Sequence, residues 1–170
     1  MQRRLLMNAD IKIVTNTAFL KRKSRLLTTD EIHSGYAKKL AIKLISTVKA
    51  VQKSRSSNRS PLGLAAIQLD KPEALCIVKN RLGQWLVLIN PLIINCSAET
   101  KTSYETCLSF PGKPFEVIRY NAIKVRYLDT NGKLHEKWFS GKVARRVQHE
   151  IDHINGIVPT KKQFERGQGR

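Results

Sequence analysis

The stretch Val147-Gln148-His149-Glu150-Ile151-Asp152-His153, near the end of a 170-residue chain, decides how the rest is read. Residues three and four apart share one face of an α-helix, so this H-E-x-x-H run aims the imidazoles of His149 and His153 at one point. Glu150 lies beside His149, within reach of a water proton at that point. On an ordinary surface helix the same residues would carry no chemistry. The chain has only 4 His, however, and two of them stand at metal-ligand spacing around a Glu. The pattern therefore predicts a metal site. Two imidazoles do not complete a ligand set, so a third donor must come from elsewhere.

Composition bounds where to look. At 170 residues the chain reads as a single domain, 1–170, long enough to bury a core without disulfides, with a basic segment 1–28 and a short tail 157–170. Three cysteines, Cys76, Cys96 and Cys107, are an odd number without C-x-x-C spacing, which argues against a disulfide framework. They fit a reducing compartment, where a Cys can act as a thiolate ligand. The cytoplasm is the first expectation and an organellar matrix the alternative. No apolar run approaches the ~20 residues that cross a bilayer, and Leu5-Leu6-Met7 is too short for a signal peptide. The formal charge of +18 is concentrated at the front: residues 1–60 carry 14 basic against 3 acidic residues. Such a field favours polyanions, with a ribosome surface or RNA the candidate partners and plain solubility the simpler account.

Along the chain, Ile11–Thr15 alternates like a short strand and leads into the basic run Lys21-Arg22-Lys23-Ser24-Arg25. The acid-poor start also has the composition of an organellar targeting segment. Thr28 with Glu31 forms a capping box, and Ile32, Tyr36, Leu40, Leu44, Val48 and Val51 follow at helical spacing, predicting one helix over 29–53. His33 in its first turn reads as a surface residue. The polar run 54–61 breaks the helix, and Pro61-Leu62-Gly63-Leu64-Ala65-Ala66-Ile67-Gln68 follows, where small residues let backbone approach backbone or ligand. Strands are predicted over 74–79 and 85–90 about an Asn80–Gly83 turn, with a separate extended piece, 92–96. Cys76 and Cys96 read as inert core thiols. Residues 105–112 read as a loop holding Cys107, then strands at 115–120, 122–128 and 133–140 lead into a last helix, 142–155, capped by Gly156. His135 reads as structural. The class is α+β, with mainly antiparallel strands around a central metal-bearing helix.

The third ligand is not downstream. Extended H-E-x-x-H motifs place a third His six residues past the second, but position 159 is Pro. Glu165 lies only twelve residues past His153, in a polar tail. An upstream donor remains, and Cys107 is the best placed.

Three stretches in this order carry a specific resemblance: Pro61–Gln68, then Glu105-Thr106-Cys107-Leu108-Ser109, then Gln148–His153. The chain resembles the peptide deformylase family, whose motifs are G-x-G-x-A-A-x-Q, E-G-C-L-S and Q-H-E-x-D-H. The likeness spans nearly the whole chain. It implies a metal held by Cys107, His149 and His153 with one position open, Fe(II) expected and Zn(II), Ni(II) or Co(II) alternatives. It implies removal of the formyl group from the initiator methionine of nascent chains, with release of formate. Glu150 would accept a water proton and pass it to the leaving amine, while the Leu108 N–H and the Gln68 amide meet the oxyanion. The N-formyl-methionyl peptide would lie extended along Leu62 and Gly63, with Glu105 and Arg146 also on its path. Glu105 and Arg119 match positions that pair behind the second motif.

Three residues depart from the family pattern. Pro61 stands for its first Gly, Thr106 for the Gly before the Cys, and Arg146 for an apolar or small residue. Arg146 is read either as narrowing and polarising the pocket for the first side chain or as snorkelling to water. A short ending resembles organellar and phage-encoded members, with docking to the ribosome then assigned to Lys21, Arg22, Lys23 and Arg25. A monomer is expected. The alternatives are a small zinc metallopeptidase and a basic ribosome- or RNA-binding protein with a vestigial metal site.

Overall fold

The computed structural model describes residues 12–54 and 61–159. Among these residues four α-helices are formed: α1 (Thr17–Leu20), α2 (Thr29–His33), α3 (Tyr36–Ser54) and α4 (Gly141–Ile154). Seven strands accompany them: β1 (Gly63–Ala65), β2 (Leu75–Lys79), β3 (Trp85–Cys96), β4 (Thr100–Cys107), β5 (Phe110–Tyr120), β6 (Ala122–Leu128) and β7 (Leu134–Ser140). The order β1-β2-β3-β6-β7 makes one five-stranded sheet, β4-β5 makes a separate hairpin, and every strand pairing is antiparallel. The α+β expectation holds.

Strand alternation sends the two faces of the main sheet into different cores. Leu64, Leu75, Ile77 and Ile89 pack with Leu40, Leu44 and Val48 of α3. Ala65, Cys76, Val78 and Leu88 pack on the other side with Val143, Ala144, Val147, Ile151 and Ile154 of α4. The metal-motif helix is thus held by its apolar stripe, leaving the opposite stripe for chemistry. Among the described residues no helix is long and apolar enough to cross a membrane.

Several sequence expectations are corrected. The helix foreseen over 29–53 is two helices, because Gly35 takes φ 80 and stops α2 after its last turn. Apolar periodicity runs through the break because Ile32 of α2 and Ala37, Leu40 and Leu44 of α3 belong to one core cluster. The Thr28–Glu31 capping box is present as read. No strand forms over 12–15; Val14 makes one backbone bond, to Gln68 O at 2.9 Å, and a helical turn follows. Ile11, the polar run 55–60 and the tail 160–170 lie outside the described residues.

The strand foreseen to stop at 90 continues to Cys96 as β3. Asn90, at φ 51, and Pro91, which has no N–H, sit in a register shift between Ile89 and Leu92. Asn90 also clamps the chain before α2, accepting from Leu27 N and donating to Leu27 O, both at 2.9 Å. A second shift between Ile93 and Asn95 accompanies an exposed Cys96, so that thiol is not in the core as expected, whereas Cys76 is. Residues 105–112 are not a loop. They are the end of β4, the two-residue turn Leu108-Ser109 and the start of β5.

His33 is exposed and His135 is structural, as expected. The His135 ring stacks on Tyr127 at 5.2 Å and its Nε2 lies 2.8 Å from Asp129 Oδ2.

Candidate metal centre

Helix α4 brings His149, Glu150 and His153 to the tip of the β4-β5 hairpin. Its placement rests on the Gln before the motif. Gln148 Oε1 accepts from Tyr120 N at 3.1 Å and its Nε2 donates to Tyr120 O at 2.9 Å, so one side chain docks the helix to the strand end like an added strand residue. Gly156 closes the helix at φ 72, and a Cβ there would collide with the carbonyl of Lys21.

Cys107 ends β4 just before the turn, and its Sγ lies 3.2 Å from His153 Nε2. The donor atoms of Cys107, His149 and His153 all lie within 4.8 Å of one another. That spacing suits a tetrahedral ion with bonds of about 2.0–2.3 Å to N and S donors. The donor chemistry fits as well. Burial, reinforced by the nearby His149 and Arg119 charges, pulls His153 well below its ordinary pKa, keeping a neutral imidazole. His153 Nδ1 is buried without a hydrogen-bond partner. His149 Nδ1 lies 2.9 Å from Glu105 Oε2, which fixes the orientation of the ring beside Cys107 and His153. The arrangement supports a divalent-metal site.

Behind His149 lies a compact charge network, part of which the sequence reading missed. Arg119 donates to both Glu105 oxygens at 3.0 Å and also pairs with Asp152. Arg145 adds a bond to Glu105 Oε1 at 2.8 Å. The expected Glu105–Arg119 pair is therefore present, enlarged by Asp152, Arg145 and His149. Burial alone would raise Glu105, but bonds from His149 and Arg119 outweigh it and hold its carboxyl below the usual carboxylate range. Burial likewise works against the His149 cation, yet its contacts with Cys107 and Glu105 leave its pKa well above the ordinary value. Asp152 and Arg145 carried a usable signal: they stand three after and four before His149, hence on neighbouring faces of α4.

Glu150 is buried, and burial pushes its carboxyl up to about 7. One oxygen, Oε2, has no hydrogen-bond partner, while Oε1 sits where a Cβ on Gly63 would be. This explains the Gly at 63 without recourse to backbone conformation: the Glu150 carboxylate occupies the side-chain space of that residue. Gln68 is also buried. Its Oε1 accepts from Ala65 N at 3.0 Å, which fixes the amide so that Nε2 points to Ser109 Oγ at 3.1 Å and Cys107 Sγ at 3.5 Å. Leu108 follows Cys107 directly in the hairpin turn.

Gln68, Cys107, Leu108, His149 and Glu150 open on one cleft of about 320 Å³. Pro61, Leu62 and Gly63 form one wall, Ser103–Leu108 the other, and Lys142, Arg145, Arg146, His149 and Glu150 the floor along α4. Thr106 and both other departures, Pro61 and Arg146, line it. Glu105 lines it too, but its oxygens face the three cations behind the site. Arg146 neither fills the cleft alone nor snorkels freely: its Nη1 donates to Lys79 O at 2.8 Å, at the end of β2. Burial lowers its pKa.

The Polypeptide deformylase family model matches residues 11–167. The peptide deformylase of Borreliella burgdorferi is 41% identical over 98 residues, 57% of this chain and 59% of that protein. The match thus spans less than two thirds of that relative's length. A class I type b peptide deformylase from Acinetobacter baumannii, solved with K1U bound, superposes at TM-score 0.78 and 32% identity, covering 87% of this chain and 95% of that one. The same protein solved with Met-ala-ser bound gives TM-score 0.75 at 30% identity, covering 86% and 93%. With its family profile matched from residue 11 to 167 and its sheet and helices superposed on solved members, the chain belongs to the polypeptide deformylase family.

Proposed function

We propose that this protein is a metal-dependent hydrolase that removes the formyl group from N-formyl-methionyl peptides and releases formate. One observation carries the reading: the donor atoms of Cys107, His149 and His153 converge beside a buried Glu150 oxygen that has no protein partner, at the floor of an open cleft. A divalent ion held by those three residues supplies Lewis acidity, polarising a carbonyl and lowering the pKa of water. Of the ions that thiolate and imidazole accept, Fe(II) is the family expectation, with Zn(II), Ni(II) and Co(II) the alternatives.

The remaining chemistry belongs to the side chains. Glu150, poised near neutrality by burial, takes the proton of the attacking water and returns it to the departing amine nitrogen. Its unbonded Oε2 is free for that transfer. The Gln68 amide, oriented by Ala65, and the main-chain N–H of Leu108 stand beside Cys107 as donors for the oxyanion of the tetrahedral intermediate. The peptide lies extended against Leu62 and Gly63, at the free edge of β1, and adds a strand to the sheet. That an Acinetobacter baumannii relative was solved with Met-ala-ser bound supports a peptide in this cleft. Action as a monomer in the cytoplasm, with the exposed Lys21, Arg22 and Lys23 facing a ribosome, completes the reading; Arg25 is instead paired with Glu31 and Glu73.

Anaerobically purified protein, assayed for metal and for formate release from formyl-Met-Ala-Ser, tests the proposal. Wild type should contain near-stoichiometric metal and release formate, and Glu150→Gln should keep the metal while losing turnover. Cleavage of internal peptide bonds without formate would favour the peptidase alternative, and absence of both metal and formate the vestigial-site alternative.

A further inference from the structure

Acidic residues are unevenly placed in this chain. Between Glu31 and Asp70 the sequence contains no Asp or Glu, and α3 lies wholly within that interval. Its Lys38, Lys39, Lys43, Lys49 and Lys53 are all exposed. At about 100° per residue the five fall within an arc of about 140°, opposite the stripe of Leu40, Leu44 and Val48 that packs on the sheet. Elsewhere among the described residues Arg25, Lys101, Arg119, Lys124, Arg126 and Arg145 each meet a carboxylate, whereas none of the α3 lysines does.

Helix stability does not account for this face. Lys38 and Lys39 stand in the first turn, where the helix dipole disfavours cations and where α3 has no acidic residue. Lys39 with Lys43, and Lys49 with Lys53, are like charges four apart, and each pair is a small cost to the helix. A bound polyanion turns these costs into attraction. The row from Lys38 to Lys53 is about 22 Å long. It is a line of point charges on flexible stems, which suits the regular phosphates of a double helix. Other polyanionic surfaces fit less well. Helix α3 buries its apolar stripe against the sheet and exposes only Ile42 among its large apolar side chains, so little is left to insert into a membrane. Its one aromatic residue, Tyr36, is half-buried and donates its hydroxyl to Glu73 Oε1 at 2.9 Å, so no ring is offered for stacking on single-stranded bases. The end of the row is tied to the cleft. Gln52 Nε2, beside Lys53, donates to Pro61 O at 2.8 Å, and Pro61 forms part of the cleft wall.

We propose that the lysine face of α3 docks the protein on the phosphate backbone of double-helical RNA, with the cleft held beside that surface. The choice of RNA rests on the deformylase reading above, since chains still being made emerge among folded RNA. The other basic cluster, Lys21, Arg22 and Lys23, lies apart. It follows Leu20, which packs in the α4 core, and the Lys21 carbonyl abuts Gly156 at the end of α4. The sheet separates that core from α3, so these three residues are a matched control.

The test measures binding of the full chain to a short fluorescein-labelled RNA duplex by anisotropy over a range of salt concentrations. Wild type should bind with a slope of log K against log salt of about −3 to −4, as when some four lysines replace counterions. The triple variant Lys39→Gln, Lys43→Gln, Lys49→Gln should retain Tm and formate release. Its duplex affinity should fall roughly tenfold or more and its slope should flatten by about 2–3. The variant Lys21→Gln, Arg22→Gln, Lys23→Gln removes the same charge and should change both far less. Equal losses from the two triple variants would mean net charge rather than a face and would overturn the proposal. So would wild type binding single-stranded RNA, a DNA duplex or phosphatidylglycerol vesicles more tightly than the RNA duplex, or not binding that duplex at all. Binding needs no turnover, so these failures leave the deformylase reading standing. Absence of formate with the duplex still bound removes that reading and not the docking face.

Discussion

Two sets of cations flank the candidate metal centre, and their surroundings differ. Behind His149, Arg119 and Arg145 meet Glu105 and Asp152 in a nearly dry network. On the cleft side, among the described residues, Arg146 holds a main-chain oxygen and neither it nor Lys142 meets a carboxylate. Compensated charges of the first kind position a ligand: they orient His149 and keep Glu105 ionised so that it can do so. Uncompensated charges of the second kind cost little to leave near water. The comparison separates cations that support the centre from cations left facing the cleft.

The largest break comes between these two regions, at Glu150. Replacing it with Gln should lower kcat by about 10²–10⁴, the usual contribution of a general base, with metal content and Tm retained. Turnover within a few-fold of wild type would take Glu150 out of the mechanism. Gln68→Leu should lower kcat by about 10²–10³ if its amide meets the oxyanion.

Gly63→Ala comes next. Its new Cβ would displace the Glu150 carboxylate, and a misplacement of about 1 Å can cost around 10² in rate. A well-folded variant with full kcat would show that Glu150 tolerates the shift.

The network itself is tested by stability. Arg119→Met removes the buried cation that joins Glu105 to Asp152 and should cost about 3–5 kcal/mol in denaturant unfolding, with weakened metal retention. Arg146→Met loses a single bond to a carbonyl and should cost only about 0.5–3 kcal/mol. Lys142→Gln should leave Tm essentially unchanged. Equal losses for Arg119 and Arg146 would erase the distinction between the two sets.

Local order explains what was readable in advance. The H-E-x-x-H spacing is a property of one helix, so His149, Glu150 and His153 share a site whatever surrounds them. The capping box at Thr28 is equally local, since its partner is three residues away. Gly35 was a readable stop signal that the continuous apolar stripe overrode, because α2 and α3 present that stripe to one core. The Leu108-Ser109 turn was mistaken for part of a loop because Pro111 and Gly112, which lie within β5, look like turn residues in isolation. Cys96 was misplaced because two register shifts in β3 break the alternation that a sequence reading assumes.

The sequence by itself determined the helix that carries two imidazoles and a carboxylate, the order of the three motifs and the excess of cations. Periodicity and residue chemistry suffice for those, since they act over a few residues or over the whole chain at once. Only the tertiary structure decided that Gly63 yields its side-chain space to Glu150, that Glu105 answers to His149, Arg119 and Arg145 together, and that Arg146 and Lys142 meet no carboxylate among the described residues. Those facts depend on residues 14 to 87 positions apart meeting in space, and no local pattern encodes which buried charges find partners.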